Sequence, residues 1–351
     1  SHPETICKDV MESLWKTSSH WETPLHSLDV AVNYAPLREN LQTNLMKDCL
    51  SFLGRSEMVS RVLEESHESS LPSQVVDTAL HIATMLKVLL GNGTTEHPPP
   101  LFQKFVLCLL AYPKLPSDGF NTLGILHGKL LLLESEKDTK AMVQSCIASV
   151  AESESLSPLA RLSMVQGIAA TLDADVLITQ EKESPLELCW EYSLRVGQTS
   201  TDPMVRWAAI KGLSTLASRW KQYFSKRGDD QRPFEHMALV EKTLDLVFDS
   251  WENPPLRKLG MAIPGLFKAL VQLLPRSDLR GLCQKVLEQP ASRKGRYLAL
   301  EILLPYMPPT SLESSSSAMM IPIESLLEGI GDRGANAGSI ANLWIKVLKC
   351  A

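Results

Sequence analysis

Apolar residues recur three and four positions apart along nearly the whole chain. In Val75-Val76-x-x-Ala79-Leu80-x-Ile82-Ala83-x-Met85-Leu86-x-Val88-Leu89-Leu90 they cover one broad helix face. Comparable stretches fall near 37–53, 101–112, 119–134, 140–151, 159–172, 185–196, 204–224, 237–250, 256–274, 278–287, 295–306, 320–330 and 339–349. Period-two alternation is nearly absent, so the pattern predicts an all-α chain. Three segments rich in Gly, Pro, Ser or charge read as loops: 91–100, 225–233 and 305–317.

The helical pattern repeats. Pro158-Leu-Ala-Arg161-Leu-Ser-Met-Val-Gln-Gly167 and Pro203-Met-Val-Arg206-Trp-Ala-Ala-Ile-Lys-Gly212 match in proline, arginine and glycine, 45 residues apart. Pro-x-x-Arg returns at Pro254–Arg257 and Pro290–Arg293, with looser versions at Pro36, Pro72 and Pro116; the steps between the seven prolines are 36, 44, 42, 45, 51 and 36. Proline suits a first helical turn, which has no use for its missing N–H. Ser157, Asp202 and Asn253 precede three of these prolines as candidate N-caps. A period near 40–47 residues is that of HEAT and armadillo arrays. The segment from Asp202 to Leu213 resembles the second helix of a HEAT repeat, in which the Asp and Arg positions tie repeats together. The pattern therefore predicts an α-solenoid, a superhelical stack of helix pairs, over 1–306. A Pro/Ser-rich linker follows at 307–318, then C-terminal helices at 319–351 that read as a partial repeat. The opening Ser1-His2-Pro3-Glu4 has neither an initiator Met nor a signal-peptide pattern and reads as part of a longer protein.

Catalytic motifs are few and weak. Gly124-Ile-Leu-His-Gly128-Lys129 looks like a phosphate loop but is too short, lacks the hydroxyl after the lysine, and sits in a helical pattern. The glycine-rich 328–338 stretch follows an amphipathic helix rather than a buried strand and reads as a helix end and turn. His81 and His127 lie inside helical stretches and read as packed or half-exposed side chains. The seven cysteines form no C-x-x-C pair and sit mostly among apolar neighbours, as free thiols of a cytoplasmic protein do. No apolar run approaches the ~18 residues that a membrane helix needs. The expectation is a chain with no catalytic residues, no metal ligands, no cofactor and no membrane insertion.

Charge adds the one functional lead. The chain carries a net charge of −5, yet residues 201–300 hold 17 Lys+Arg against 10 Asp+Glu, a net +7, which leaves −12 on the other 251 residues. The candidates for binding a phosphate backbone are Arg219, Lys221, Lys226, Arg227, Arg257, Lys258, Arg293, Lys294 and Arg296, with Trp220, Tyr223 and Tyr297 interleaved. Stacked repeats would align the starts of successive second helices into a basic stripe. The bland alternative is a solvated face, with Arg293 tying adjacent repeats together.

Three stretches resemble the N-terminal part of the THADA family: 161–173, beginning Arg161-Leu-Ser-Met-Val-Gln-Gly; 246–254, Leu246-Val-Phe-Asp-Ser-Trp-Glu-Asn-Pro254; and 294–304, beginning Lys294-Gly-Arg-Tyr. Members are very long α-solenoids of HEAT and armadillo type. Fungal relatives are the non-catalytic partner of a methyltransferase that 2′-O-methylates a ribose in the tRNA anticodon loop. The resemblance implies a scaffold that binds tRNA and a methyltransferase catalytic subunit. The alternative is a HEAT-repeat adaptor that binds proteins and no RNA; steep salt dependence of binding separates the two.

Overall fold

A computed structural model describes residues 50, 53–54, 57–65, 71–90, 100–112, 114–134, 139–171, 184–227, 236–252, 254–307 and 337–350. The chain divides into two compact units, 1–176 and 177–351. In the first lie α1 (Glu57–Glu65), α2 (Ser73–Leu89), α3 (Leu101–Leu110), α4 (Ser117–Glu134), α5 (Thr139–Glu152) and α6 (Pro158–Thr171). In the second lie α7 (Pro185–Thr199), α8 (Pro203–Arg227), α9 (Met237–Glu252), α10 (Arg257–Leu273), α11 (Arg276–Leu287), α12 (Lys294–Leu303) and α13 (Ala337–Cys350). The described residues contain helices and turns but no strand. Every helix from α2 to α13 overlaps a predicted stretch. The predicted helix at 320–330, most of that at 37–53 and Asn253 lie outside the described residues.

Local chemistry sets the helix starts. Pro158 and Pro203 are the first residues of α6 and α8. The Ser157 hydroxyl accepts from the Ala160 N–H at 3.2 Å, and the Asp202 carboxylate from the Met204 N–H at 2.8 Å. Ser184, Pro185 and Glu187 open α7 with a complete capping box: Glu187 N–H donates to Ser184 Oγ while Ser184 N–H donates to the Glu187 carboxylate. Two prolines fall short of the expected first turn. α10 begins after an N-cap at Leu256 and α12 after one at Arg293, so Pro254 and Pro290 stand in the preceding turns. There the proline stops one helix rather than opening the next. Ser225, Lys226 and Arg227, read as the start of a loop, are the last residues of α8.

Within each unit the main packings join helices that are neighbours or next-but-one in order. In the first unit α2 packs on α4 and α4 on α6, with α1 on α3 in a second layer. In the second unit α8 packs on α10 and α10 on α12, with α7 on α9. Turns link the layers: α5 to α6, α7 to α8, α9 to α10 and α11 to α12. The repeated arginine closes two of these turns. Arg161 Nη1 donates to the Ala151 carbonyl at 3.2 Å, and Arg206 Nε to the Ser200 carbonyl at 2.9 Å. Each guanidinium thus caps the carbonyl end of the preceding helix, where the helix dipole favours a cation.

The look-alike phosphate loop belongs to this packing. Gly124 and Gly128 lie in mid-α4, where a Cβ on Gly124 would collide with the Ser163 carbonyl and one on Gly128 with the Gly167 carbonyl of α6. Gly167, the repeat glycine, would in turn strike the Gly124 carbonyl. Only glycine lets two helix backbones approach so closely. Lys129 donates to the Lys87 carbonyl of α2 at 2.7 Å. Burial, and then the Lys87 charge, hold its pKa below the usual lysine range.

The core of each unit supplies a prediction. Leu213 on α8 is fully buried. Leu213→Asp puts a carboxylate into an apolar interface at a cost of several kcal/mol. Denaturant unfolding should show the second unit melting far earlier; an unchanged transition would contradict this packing. In the first unit His127 is buried and its pKa is pushed down to about 4. The unfolded imidazole titrates near 6.5, so the unfolded chain binds the extra proton below that pH. Stability is then full above about pH 6.5 and falls by ~3 kcal/mol on acidification to pH 4. His127→Asn should remove that part of the pH slope.

Candidate nucleic-acid interface

The second unit stacks its helices so that the starts of α8, α10 and α12 are approached by the ends of α7 and α9. Arg206, in the first turns of α8, reaches the carbonyl of Ser200 just past α7. Gly295, at the start of α12, packs against the end of α9: a Cβ there would meet the Phe248 and Trp251 side chains at 3.2 and 3.3 Å. The starts of α8 and α10 lie side by side, because the Lys258 ammonium stands over the Trp207 ring at 5.6 Å from its centroid. Lys211, one turn along α8, places its own ammonium 5.2 Å from the same ring.

The predicted residues divide into three groups on this frame. Arg257, Lys258 and Lys294 are exposed near the starts of α10 and α12. Arg293 donates to Gln289 at 3.1 Å and faces Asp249 of α9 at 4.0 Å. Arg296 is a correction. It is 3% exposed and belongs to the core. The first turn of α12 is wedged onto α9, with Gly295 and Tyr297 buried beside it and the Tyr297 hydroxyl donating to the Ala291 carbonyl at 2.7 Å.

Arg219, Lys221, Lys226 and Arg227 form the third group. They occupy the far half of a continuous helix, away from the starts of α8, α10 and α12. At 1.5 Å per residue Lys226 sits about 30 Å along α8 from Arg206. Arg219 and Lys221 are half-buried and Lys226 is exposed. The interleaved aromatics are core as well: Trp220, Tyr223 and Tyr297 are 1%, 5% and 0% exposed. Trp220 packs edge-on to Trp190, whose indole N–H donates to Thr243.

Sequence reasoning missed Trp207, Lys211 and Met261. A usable signal was present. Trp207 and Lys211 are four apart, which puts an aromatic and a cation on one helix face. Met261 follows Lys258 by three and is 70% exposed.

A different pairing in the first unit has the residue types of a nucleophile and its base. Cys146 Sγ lies 3.8 Å from His127 Nε2, and Gln103 Nε2 lies 3.5 Å from His127 Nδ1. Burial sets its chemistry. The thiol is pushed up to about 11 and the imidazole down to about 4, so neither the thiolate nor the imidazolium forms near neutral pH. Among the described residues no group of three or more His, Cys, Asp or Glu is placed to hold a metal ion. Nor is any described helix long and apolar enough to cross a membrane. Most of the glycine-rich 328–338 stretch lies outside the described residues.

Comparison with family models, with curated proteins and with solved structures returns no match. The division between structural and surface cations is testable by stability alone. Arg206→Ala should cost about 1–3 kcal/mol by stranding a helix-end carbonyl. Lys258→Ala should stay within about 0.5 kcal/mol. Equal losses in denaturant titrations would mean that the two side chains are not in the environments described.

Proposed function

We propose that this chain is part of a non-catalytic scaffold of the HEAT/armadillo α-solenoid type, one that binds tRNA together with a partner methyltransferase. The observation that carries the reading is the edge where α8, α10 and α12 begin. Lys211 and Lys258 are exposed with their ammonium groups over the Trp207 ring, and Arg257 and Lys294 are exposed near the starts of α10 and α12, all in the stretch of the chain with net charge +7. Cations spaced along stacked helix starts suit a ribose–phosphate backbone, which is recognised by shape and charge. The resemblance of 161–173, 246–254 and 294–304 to the THADA family supplies the more specific part: tRNA as the nucleic acid, ribose 2′-O-methylation in the anticodon loop as the reaction, and a separate catalytic subunit that holds the methyl donor. A cytoplasmic setting belongs to the same reading, and the free thiols of Cys108, Cys146, Cys189 and Cys283 are in keeping with it.

A protein-binding adaptor without RNA contact is the second reading. The apolar Ile345 and Leu348 of α13, 51% and 73% exposed, favour it. The double reversal Lys258→Glu with Lys294→Glu separates the two. Both positions are exposed, so the fold should survive. On the scaffold reading tRNA affinity falls, and the slope of log affinity against log salt shrinks by about one for each phosphate that is no longer neutralised. On the adaptor reading the unmodified chain has negligible tRNA affinity. Measurable affinity with an unchanged slope in the double variant would move the tRNA surface elsewhere.

A further inference from the structure

Trp207 differs from the other tryptophans of α7–α9. Trp190, Trp220 and Trp251 are 0%, 1% and 4% exposed, inside the core of the second unit. Trp207 is half-buried, with two ammonium groups over its ring, one from its own helix and one from α10. Met261 lies one turn beyond Lys258 on the exposed side of α10 and is the most exposed large apolar side chain of that helix. One turn further Gly265 adds no side chain, and the space where its Cβ would be is open. Trp207 thus lies part-exposed at the contact of α8 and α10, with an ammonium group from each helix over its ring.

We propose that Trp207 is a stacking platform for one unpaired nucleobase, with Lys211 and Lys258 taking the phosphates on either side of it. This rests on the RNA reading of the same edge and narrows it to a class of RNA. Each component has a separate use. The lysines alone would serve any polyanion. The half-buried indole beneath them adds a π-face, which the flat face of a base can take over from the ammonium groups. Bases inside a duplex are already stacked on one another, so a platform of this kind selects an unpaired base, as in a loop. The cation–π contacts hold the lysines over the ring before RNA arrives, and a stacking base displaces the ammonium groups towards the phosphates on either side of it.

The test uses the full chain and two RNA probes: a tRNA anticodon stem–loop, and a fully paired duplex of equal length. Trp207→Leu should lower stem–loop affinity about ten-fold and leave duplex affinity unchanged. Trp207→Phe keeps a ring and should stay near the unmodified value. Circular-dichroism melting checks that the leucine variant folds. If it does not, fluorescence decides. The stem–loop should quench tryptophan emission of the unmodified chain, and most of that quench should vanish in Trp207→Phe while affinity is kept. Equal effects of Trp207→Leu on both RNAs, no effect on either, or a quench that persists in Trp207→Phe would overturn the stacking role. Salt-dependent RNA binding would in that case leave the RNA reading of the edge standing. Absence of such binding in the unmodified chain overturns both. Binding of a polyglutamate peptide as strong as that of the stem–loop, and indifferent to Trp207, would reassign the edge to an acidic protein partner.

Discussion

No helix in this protein can cover its own apolar stripe, and that constraint organises both units. α8 buries Val205, Ala209, Ile210, Leu213, Leu216, Ala217 and Trp220, a band too wide for one neighbour. It is covered by α7 on one side and α10 on the other, and α10 is covered in turn by α9 and α12. Burial of this kind is worth roughly 1.5–3 kcal/mol per large side chain, and α8 alone repeats it several times. Stacking leaves each helix two places to meet solvent, its outer stripe and its ends. The arginines that cap helix ends, Arg161 and Arg206, then fix how the chain turns from one layer to the next.

The same constraint sorts the basic residues. Lys294 and Arg296 are two apart, which on a helix is about 200° of rotation. One faces solvent and the other enters the core between α12 and its neighbours. Trp207 and Trp220 share α8 but are separated by about 220° around its axis. The first reaches the surface beside two lysines and the second packs against Trp190. A positively charged stretch of sequence thus becomes a smaller set of exposed cations, of which Arg257, Lys258 and Lys294 stand where successive helices begin.

Helices were legible in the sequence because a period of 3.6 is a strong signal over a dozen residues. α1 was not, because Ser60, Glu64 and Glu65 leave only a narrow apolar stripe in nine residues. The caps at Ser157 and Asp202 were legible from residue type. The capping box of Ser184 and Glu187 carries an equally clear signature, but it stands outside the Pro-x-x-Arg recurrence that marks the others. For the candidate interface the region was legible and the side chains were not. Composition cannot say which arginine is a helix-end cap, which is core and which is free to meet a ligand, since that depends on rotation about the helix axis. Nor does Gly124-x-x-x-Gly128 say from its spacing whether its glycines cradle a phosphate or another backbone; only the position of Gly167 on α6 decides.

One claim stands above the others: RNA lies along the edge where α8, α10 and α12 begin. Photo-crosslinking with thiouridine-substituted tRNA, followed by mass spectrometric mapping of the attached peptides, addresses it without altering the protein. Crosslinks are expected in the peptides that carry Trp207, Lys258 and Lys294, and they should disappear as salt is raised. Crosslinks confined to the far half of α8 or to the first unit, with none at those three residues, would contradict the claim.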